Sequence, residues 1–124
     1  TKPGSSSEGL VELVDLYPTM AELCKIPVPD ELQGRTLVPL LLDPEAPGRD
    51  VVFTVVSRGA TLGKAIRTDR WRYAVWPDGE ELYDLQNDYA EHHNLANSEE
   101  HAVTLAAMRT RLAQANTRAE DAKR

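Results

Sequence analysis

Apolar and polar residues alternate at the start of segment 10–17, which reads LVELVDLY. Such alternation is typical of a half-buried β-strand. Pro18 then fits the first turn of a helix, where its missing N–H group is not required. The apolar residues around and after it recur at helical spacing: Met20, Ala21, Leu23 and Cys24. The pattern therefore predicts a short strand followed by a helix that ends near Lys25.

Two further short elements are predicted before the middle of the chain. Thr36 can cap a short helix that continues through Leu42, because a threonine hydroxyl accepts hydrogen bonds from the free N–H groups of a first helical turn. From Val51 to Val56 the chain is rich in β-branched residues, which favours a buried strand. The dipeptide Arg58-Gly59 should end that strand.

The segment 64–76 predicts one long strand with two distinct faces. Trp71, Tyr73 and Val75 share one parity, and we expect that face to be buried. The sequence Pro-Asp-Gly at 77–79 is a turn signal, and segment 81–85 (ELYDL) returns as a strand. An antiparallel hairpin is therefore predicted, which gives a sheet of three strands with the strand at 51–56.

The last predicted element is a long helix that covers the strand containing Trp71. Asn97 or Ser98 can cap it, and the two glutamates that follow suit the positive end of the helix dipole. Its apolar residues recur at near-helical spacing: Val103, Leu105, Ala106, Ala107, Met108, Leu112 and Ala115. After Asn116 the chain is charged and poorly apolar, so we expect the helix to fray there.

These elements predict an α+β fold, in which a small antiparallel sheet is packed by a C-terminal helix and preceded by a strand-helix segment. The opening Thr1–Gly9 combines proline, glycine and three consecutive serines, so we expect a flexible linker or tail. We divide the remainder into a segment 10–48 and a sheet-and-helix subdomain 49–124. A chain of 124 residues can bury its own core only if nearly all its apolar segments cooperate.

Composition and charge exclude several classes of partner. The formal net charge of −6 argues against nucleic acid, because a phosphate-backbone binder needs a basic face. No apolar run approaches the roughly 20 residues of a membrane span, so we expect no membrane partner. Localisation stays open, because any targeting segment would lie upstream if the chain is a piece of a longer protein. Cys24 is the single cysteine, and its neighbours Leu23 and Ile26 predict a buried thiol.

The sequence contains no catalytic motif and no metal-binding motif. There is neither a glycine-rich phosphate loop nor a G-x-S-x-G elbow. His92 and His93 are adjacent, so they point apart, and no H-x-x-x-H spacing accompanies them. The acids Asp84, Asp88 and Glu91 lack the glycine and the distal glutamate of a calcium-binding EF-hand loop. We therefore assign no catalytic residue, metal ligand or cofactor to this chain.

Five basic residues nevertheless lie close together in an otherwise acidic chain: Arg58, Lys64, Arg67, Arg70 and Arg72. One interpretation is a solvated strand face. The other interpretation concerns Arg58 and Lys64, which flank Gly59 and Gly63 in a predicted flexible loop. These two cations could approach an anionic substrate from the rim of its binding site.

Several ordered blocks of the sequence resemble the C-terminal region of sulfatases, in the alkaline phosphatase superfamily. They are 14–19 (VDLYPT), 32–41 (LQGRTLVPLL) and 81–85 (ELYDL), and their order also matches. Segment 65–73 (AIRTDRWRY) looks like the family's sheet strand, and with Val75-Trp76 it most resembles the iduronate-2-sulfatase branch and its bacterial relatives. The resemblance spans residues 10–96.

The resemblance implies an α/β sulfatase whose larger N-terminal domain holds a calcium ion and a formylglycine. The family makes formylglycine from the Cys or Ser of a C-x-P-x-R or S-x-P-x-R motif. Cys24 does not match, because Ile26 stands where the motif needs proline and Val28 where it needs arginine. The implied partners are therefore the missing catalytic domain and an anionic sulfate ester.

On this reading, segment 10–48 completes the edge of the larger α/β domain. We then expect it to expose apolar surface in isolation, chiefly at Leu13, Leu16 and Leu40. Two alternatives stay open at this stage. The chain could be a free-standing structural or interaction module, or the C-terminal part of a related phosphoesterase or phosphonate hydrolase, since those enzymes share blocks such as Pro18-Thr19 and Gly34-Arg35.

Overall fold

The computed structural model describes residues 3–121 and divides the chain into two compact units. One unit comprises the chain up to Asp50 together with the end from Ala119, and the other is Val51–Arg118. The first unit contains a 3-10 turn at Leu13–Asp15, helix α1 at Leu16–Leu23 and helix α2 at Val38–Leu42. The second contains a four-stranded antiparallel sheet followed by a 3-10 turn and the long helix α3.

The strand predicted at the start of the first unit is wrong. The backbone N–H of Asp15 donates to the carbonyl oxygen of Glu12 at 3.0 Å, and the N–H of Glu12 donates to the Asp15 carboxylate at 2.9 Å. These two hydrogen bonds close a 3-10 turn, which uses the polar groups that a strand would offer to a neighbour. Helix α1 consequently begins two residues before Pro18, at Leu16.

The two predicted short helices are confirmed. Helix α1 ends at Leu23, close to the expected end, and α2 runs to Leu42 as expected. The N-cap of α2 is Leu37 and not Thr36 as predicted, and the helix has no side-chain cap hydrogen bond; the Thr36 hydroxyl accepts the N–H of Val38 at 3.2 Å from one residue further back. Gly34 allows the chain before α2 to pass close to the first turn, because a Cβ there would lie 2.0 Å from the carbonyl oxygen of Val14.

The burial predicted for Cys24 is wrong, because its side chain is exposed. Helix α1 turns a different face inward, where its buried residues are Pro18, Thr19 and Ala21. Cys24 follows the last residue of the helix and lies outside that face. Apolar neighbours along the sequence were therefore a misleading indication of burial.

The sheet of the second unit has the strand order β1-β2-β3-β4. Its strands are β1 Val52–Arg58, β2 Thr61–Arg67, β3 Trp71–Trp76 and β4 Gly79–Asp84. The predicted strand near 51–56 and the predicted hairpin of β3 and β4 are confirmed. The first strand is not buried as expected, because it lies at an edge of the sheet and the side chains of its last five residues are exposed.

The single long strand predicted over 64–76 is wrong, because the chain turns at residues 68–70. The Thr68 hydroxyl accepts the N–H of Trp71 at 2.9 Å, and the Thr68 N–H donates to the Trp71 carbonyl at 2.8 Å. This turn resets the strand parity. Ile66 and Tyr73, which would point to opposite faces of one continuous strand, lie directly opposite each other on one face.

Helix α3 packs its apolar side chains on that face of the sheet. It spans Ala102–Asp121 after a 3-10 turn at Glu99–His101 that begins beyond Ser98. The buried core comprises three sheet residues and three helix residues: Ile66, Tyr73, Leu82, Leu105, Met108 and Leu112. The helix thus covers the strand of Trp71 and Tyr73 as predicted, and the α+β fold class is confirmed.

Two details of this helix differ from the expectation. Helical geometry continues past Asn116 to Asp121, so the expected fraying is not observed. The side chain of Val103 is 84% exposed and does not join the core. Leu105, Met108 and Leu112 lie at spacings of three and four residues and form the buried stripe. Val103 precedes Leu105 by two residues, so it lies on a different side of the helix.

Candidate functional site

The two candidate rim residues lie on opposite faces of the sheet. Lys64 shares the helix-covered face with Ile66, two residues further along β2. The Lys64 ammonium donates to the side-chain oxygen of Asn116 on α3, at 2.5 Å. Lys64 is therefore half-buried beside the helix and directed toward α3.

Arg58 belongs to the other face, which we call the open face of the sheet. Its guanidinium carbon lies 4.4 Å from the centroid of the Trp76 ring, a stacking distance for a cation on an aromatic system. The Trp76 ring in turn lies against Gly63 of β2. The side chain of Arg58 is exposed and lies at the end of β1, where the chain turns through residues 59–60 into β2.

The flexible loop predicted around Arg58 and Lys64 is wrong. Both residues belong to paired strands, with Arg58 opposite Thr61 and Lys64 opposite Val55. A two-residue turn joins the strands, and Gly63 is an interior strand residue. The structure therefore does not bring the two cations together, and their role at a substrate rim stays a prediction.

Three arginines of this unit, Arg70, Arg72 and Arg109, are held by carboxylates. Arg70 forms two hydrogen bonds with Asp84, at 3.0 and 2.7 Å. Arg72 lies 2.8 Å from Glu91. Arg109 on α3 pairs with Glu80, whose carboxylate also accepts the Tyr73 hydroxyl at 2.7 Å. Of the predicted basic cluster, Arg70 and Arg72 are therefore in ion pairs, whereas the other three members form none within residues 3–121.

The Arg70–Asp84 pair has a consequence for stability in acid. Hydrogen bonds from Arg70 lower the pKa of the Asp84 carboxyl to about 2, and those from Asn87 and the backbone N–H of Gln86 act in the same direction. Burial of the Asp84 side chain opposes them. The charged carboxylate is therefore favoured in the folded state more than in the unfolded chain.

We expect the free energy of unfolding to decrease as the pH falls from about 4 to about 2, because a group with a lowered folded-state pKa stabilises the fold only while it is ionised. The contribution is complete above the ordinary aspartate value of 3.8. Urea denaturation at a series of pH values measures it. Asp84→Asn should lose this part of the acid dependence, whereas Asp78→Asn in the exposed turn should behave as wild type.

The histidine and acid candidates do not form a metal centre. His93 donates its backbone N–H to the Asp88 carboxylate at 2.8 Å, and its exposed ring lies 3.3 Å from the same oxygen. Within residues 3–121, no group of three potential ligands among His, Cys, Asp and Glu converges on one point. The helices of that part of the chain are also too short or too polar to cross a bilayer.

The first unit contains a buried carboxylate that sequence reasoning missed. The Asp15 carboxylate accepts the backbone N–H of Arg35 at 2.9 Å and that of Glu12 at 2.9 Å. The Arg49 guanidinium binds both carboxylate oxygens. Burial alone would raise the pKa of Asp15, but these hydrogen bonds outweigh it and the pKa is lowered. A lone aspartate among apolar residues was the available sequence signal.

An apolar stripe runs along the outer side of the first unit. It begins in the 3-10 turn, where Leu13 is 85% exposed, and continues along α1 at spacings of three and four residues. Its other members are also more than half exposed within this chain: Leu16, Tyr17, Met20 and Leu23. The exposure expected for Leu13 and Leu16 is therefore observed, whereas Leu40 is half-buried.

Residues 1–118 match a family described as "N-sulphoglucosamine sulphohydrolase, C-terminal". The chain belongs to this sulfatase family. The assignment agrees with the order of the three blocks at 14–19, 32–41 and 81–85, which now lie on the turn and α1, on the approach to α2, and on β4.

The relatives of this sulfatase chain are longer proteins. The chain is 38% identical to arylsulfatase K of Gallus gallus over 100 residues, covering 70% of this chain and 19% of that protein. It is 33% identical to the Δ4,5-hexuronate-2-O-sulfatase of Bacteroides thetaiotaomicron over 116 residues, covering 87% and 24%. The chain thus spans about a fifth to a quarter of the relatives' length.

Solved structures share the fold of the sulfatase chain. The protein BT4656, solved with its substrate D-glucosamine-2-N,6-O-disulfate, superposes with a TM-score of 0.88 at 23% identity, covering 97% of this chain and 26% of that one. A 2-O glycosaminoglycan sulfatase, BT1596, gives 0.77 at 33% identity, covering 86% and 25%. A phosphonate monoester hydrolase of Agrobacterium radiobacter gives 0.69 at 27% identity, covering 83% and 24%.

Proposed function

We propose that the full-length protein is a sulfatase that hydrolyses sulfate esters, and that this chain completes its fold without supplying the catalytic centre. The observation that carries the proposal is the family match over residues 1–118, in a chain that spans only a fifth to a quarter of its relatives. The remaining length of such an enzyme is ample for a separate catalytic domain.

The family implies a formylglycine and a metal ion, and the residues described here do not fit either group. The exposed Cys24 lacks the proline and arginine of the modification motif, with Ile26 and Val28 in those places. A hard cation such as calcium needs six or more oxygen ligands, and no cluster of three potential ligand residues occurs within residues 3–121. We assign both groups to the part of the protein that precedes this chain.

The apolar stripe of α1 is the surface by which segment 10–48 would join that catalytic domain. Five large apolar residues on one side of a short helix are unusual on a free surface, because each loses free energy while it is exposed to water. Stacking α1 against the edge of a larger sheet would remove this surface from water. The catalytic domain of the same polypeptide is the occupant that the family match favours.

For the substrate, we propose a 2-O-sulfated uronic acid, in line with the resemblance to the iduronate-2-sulfatase branch. Support comes from the hexuronate-2-O-sulfatase and the 2-O glycosaminoglycan sulfatase, both 33% identical to this chain. Arg58 and Lys64 remain the candidates for the substrate rim. Arg58 is the stronger of the two, because its side chain is exposed whereas Lys64 is held beside α3.

The likeness to the Agrobacterium phosphonate monoester hydrolase supports a second candidate, hydrolysis of phosphonate esters. Both reactions cleave a tetrahedral oxyanion ester, so this C-terminal unit alone does not distinguish them. Comparing turnover of an aryl sulfate with that of an aryl phosphonate by the full-length protein separates the two.

A free-standing module would instead be monomeric as purified and would not bind a dye that detects exposed apolar surface.

We expect the 124-residue chain alone to show no turnover of an aryl sulfate, with or without added calcium. The full-length protein should hydrolyse it, and a 2-O-sulfated uronate disaccharide should be preferred. The physical reason is that sulfate-ester cleavage requires an activated nucleophile, a cation for the sulfate oxygens and an acid for the leaving group. Turnover by the isolated chain, or inactivity of a correctly modified full-length protein on every sulfate ester, would contradict the proposal.

A further inference from the structure

Arg58 packs on an aromatic ring and has no carboxylate partner among the described residues. Its guanidinium carbon lies over the Trp76 ring, 4.4 Å from the centroid. A guanidinium stacked on a ring keeps the N–H groups at its edge available for hydrogen bonds. Arg49, Arg70, Arg72 and Arg109 each contact at least one carboxylate. Within residues 3–121, Arg58 forms no such ion pair.

The aromatic support under Arg58 depends on a residue of the neighbouring strand. Gly63 lies buried beneath Trp76, and a Cβ on Gly63 would approach three atoms of the indole ring to 2.6 Å. Any side chain there would force the ring away from its position. The absence of a side chain at Gly63 therefore lets Trp76 lie flat across β2 and reach the end of β1, where it meets Arg58.

A stacked and unpaired guanidinium is suited to binding an oxyanion. Its planar fork can donate two parallel hydrogen bonds to a sulfate or a carboxylate, and stacking reduces the side-chain entropy that is lost on binding. The chain as a whole is acidic, with a net charge of −6, so a general attraction for polyanions does not account for a cation in this position.

We propose that Arg58, oriented by Trp76, binds an oxyanion of the sulfated glycan other than the ester that is cleaved. The choice of ligand rests on the proposed sulfatase function. The cleaved sulfate must lie at the nucleophile and the metal ion, neither of which fits this chain. A glycan with repeated sulfate and carboxylate groups presents further oxyanions to an exposed cation. Trp76 is the positioning residue of this subsite, and Lys64 is outside it.

The test uses the full-length protein and two probes, a sulfated tetrasaccharide that contains 2-O-sulfated uronate and a small aryl sulfate. Arg58→Ala should raise the Kd and KM for the tetrasaccharide about tenfold, the usual loss of a charge-assisted hydrogen bond, and leave kcat within about twofold. Its KM for the aryl sulfate should not change. Arg58→Lys should lose nearly as much tetrasaccharide affinity as Arg58→Ala, because lysine keeps the charge but has no planar fork.

Arg67 provides the matched control. It is an exposed arginine on the same open face of β2, at the opposite end from the turn, and it has no ion pair within residues 3–121. Arg67→Ala should bind the tetrasaccharide as wild type does. Trp76→Leu should reproduce the loss seen for Arg58→Ala, because it removes the support and not the charge.

Four results would overturn the subsite. Equal losses for Arg58→Ala and Arg67→Ala would indicate a general charge effect. Full rescue of binding by Arg58→Lys would show that the planar guanidinium fork is not required. A lowered melting temperature with an unchanged Kd would mean that Arg58 contacts another part of the protein. Unchanged binding and KM in Arg58→Ala would exclude the subsite while the enzyme remained a sulfatase. If wild type cleaves no sulfate ester, the proposed function fails, and the Kd for the tetrasaccharide still decides the role of Arg58.

Discussion

Replacing Asp15 by alanine should lower the free energy of unfolding by about 3–5 kcal/mol, the usual cost of removing one partner from a buried ion pair. The Asp15 side chain is 0% exposed, and Arg49 binds both of its oxygens. The variant would leave the Arg49 guanidinium, which is 16% exposed, without its main partner. It would also leave the backbone N–H groups of Glu12 and Arg35 without their acceptor.

Equilibrium denaturation in urea measures this loss, with the full-length protein as the sample because the first unit has not been shown to fold alone. Asp30→Ala is the matched control, since Asp30 is an exposed aspartate of the same unit. It should change the unfolding free energy by less than about 0.5 kcal/mol. Equal effects for the two variants would show that the Asp15 network contributes nothing beyond a surface charge.

Truncating Leu82 to alanine should cost about 2–5 kcal/mol, because it opens a cavity in the core of the second unit. Leu82 on β4 is 0% exposed and lies in the cluster that joins the sheet to α3. Its direct neighbour across the strands is Tyr73, which is anchored by Glu80 and Arg109. These groups limit how far the cavity can collapse, so we expect an effect in the upper part of the range.

Thermal and urea denaturation check this prediction, and Leu62→Ala is the control for it. Leu62 has the same chemistry and lies on β2, but its side chain is 56% exposed. The control should lose less than about 1 kcal/mol, because little apolar surface becomes newly exposed to water. A Leu82→Ala protein with an unchanged unfolding midpoint would contradict the assignment of this core.

Local signals predicted most of the regular elements. Helix α2, the turn at 77–79 and the stripe of Leu105, Met108 and Leu112 each depend on residues close together along the chain, so they could be identified without tertiary information. The strand expected near residue 10 failed for the opposite reason. Its alternation was real, but hydrogen bonds between Asp15 and Glu12 close a 3-10 turn there.

The candidate site was only half predictable. The sequence indicated Arg58 as an unusual cation in an acidic chain, but it did not reveal that Trp76 supports it, because the two residues are far apart along the chain and meet only across β2. Lys64 looked equivalent to Arg58. The strand register separates them, since Lys64 falls on the parity that faces α3 and Arg58 on the parity that faces away.

The sequence by itself determined the sulfatase family resemblance, the α+β class and the absence of a nucleophile motif, because these depend on the identity and order of residues. Only the tertiary structure decided which residues meet. The turn at Thr68 places Ile66 opposite Tyr73, and the burial of Asp15 brings Arg35 and Arg49 to one carboxylate. Such contacts join residues that are distant along the chain, and their energies depend on burial and register, which local propensity does not encode.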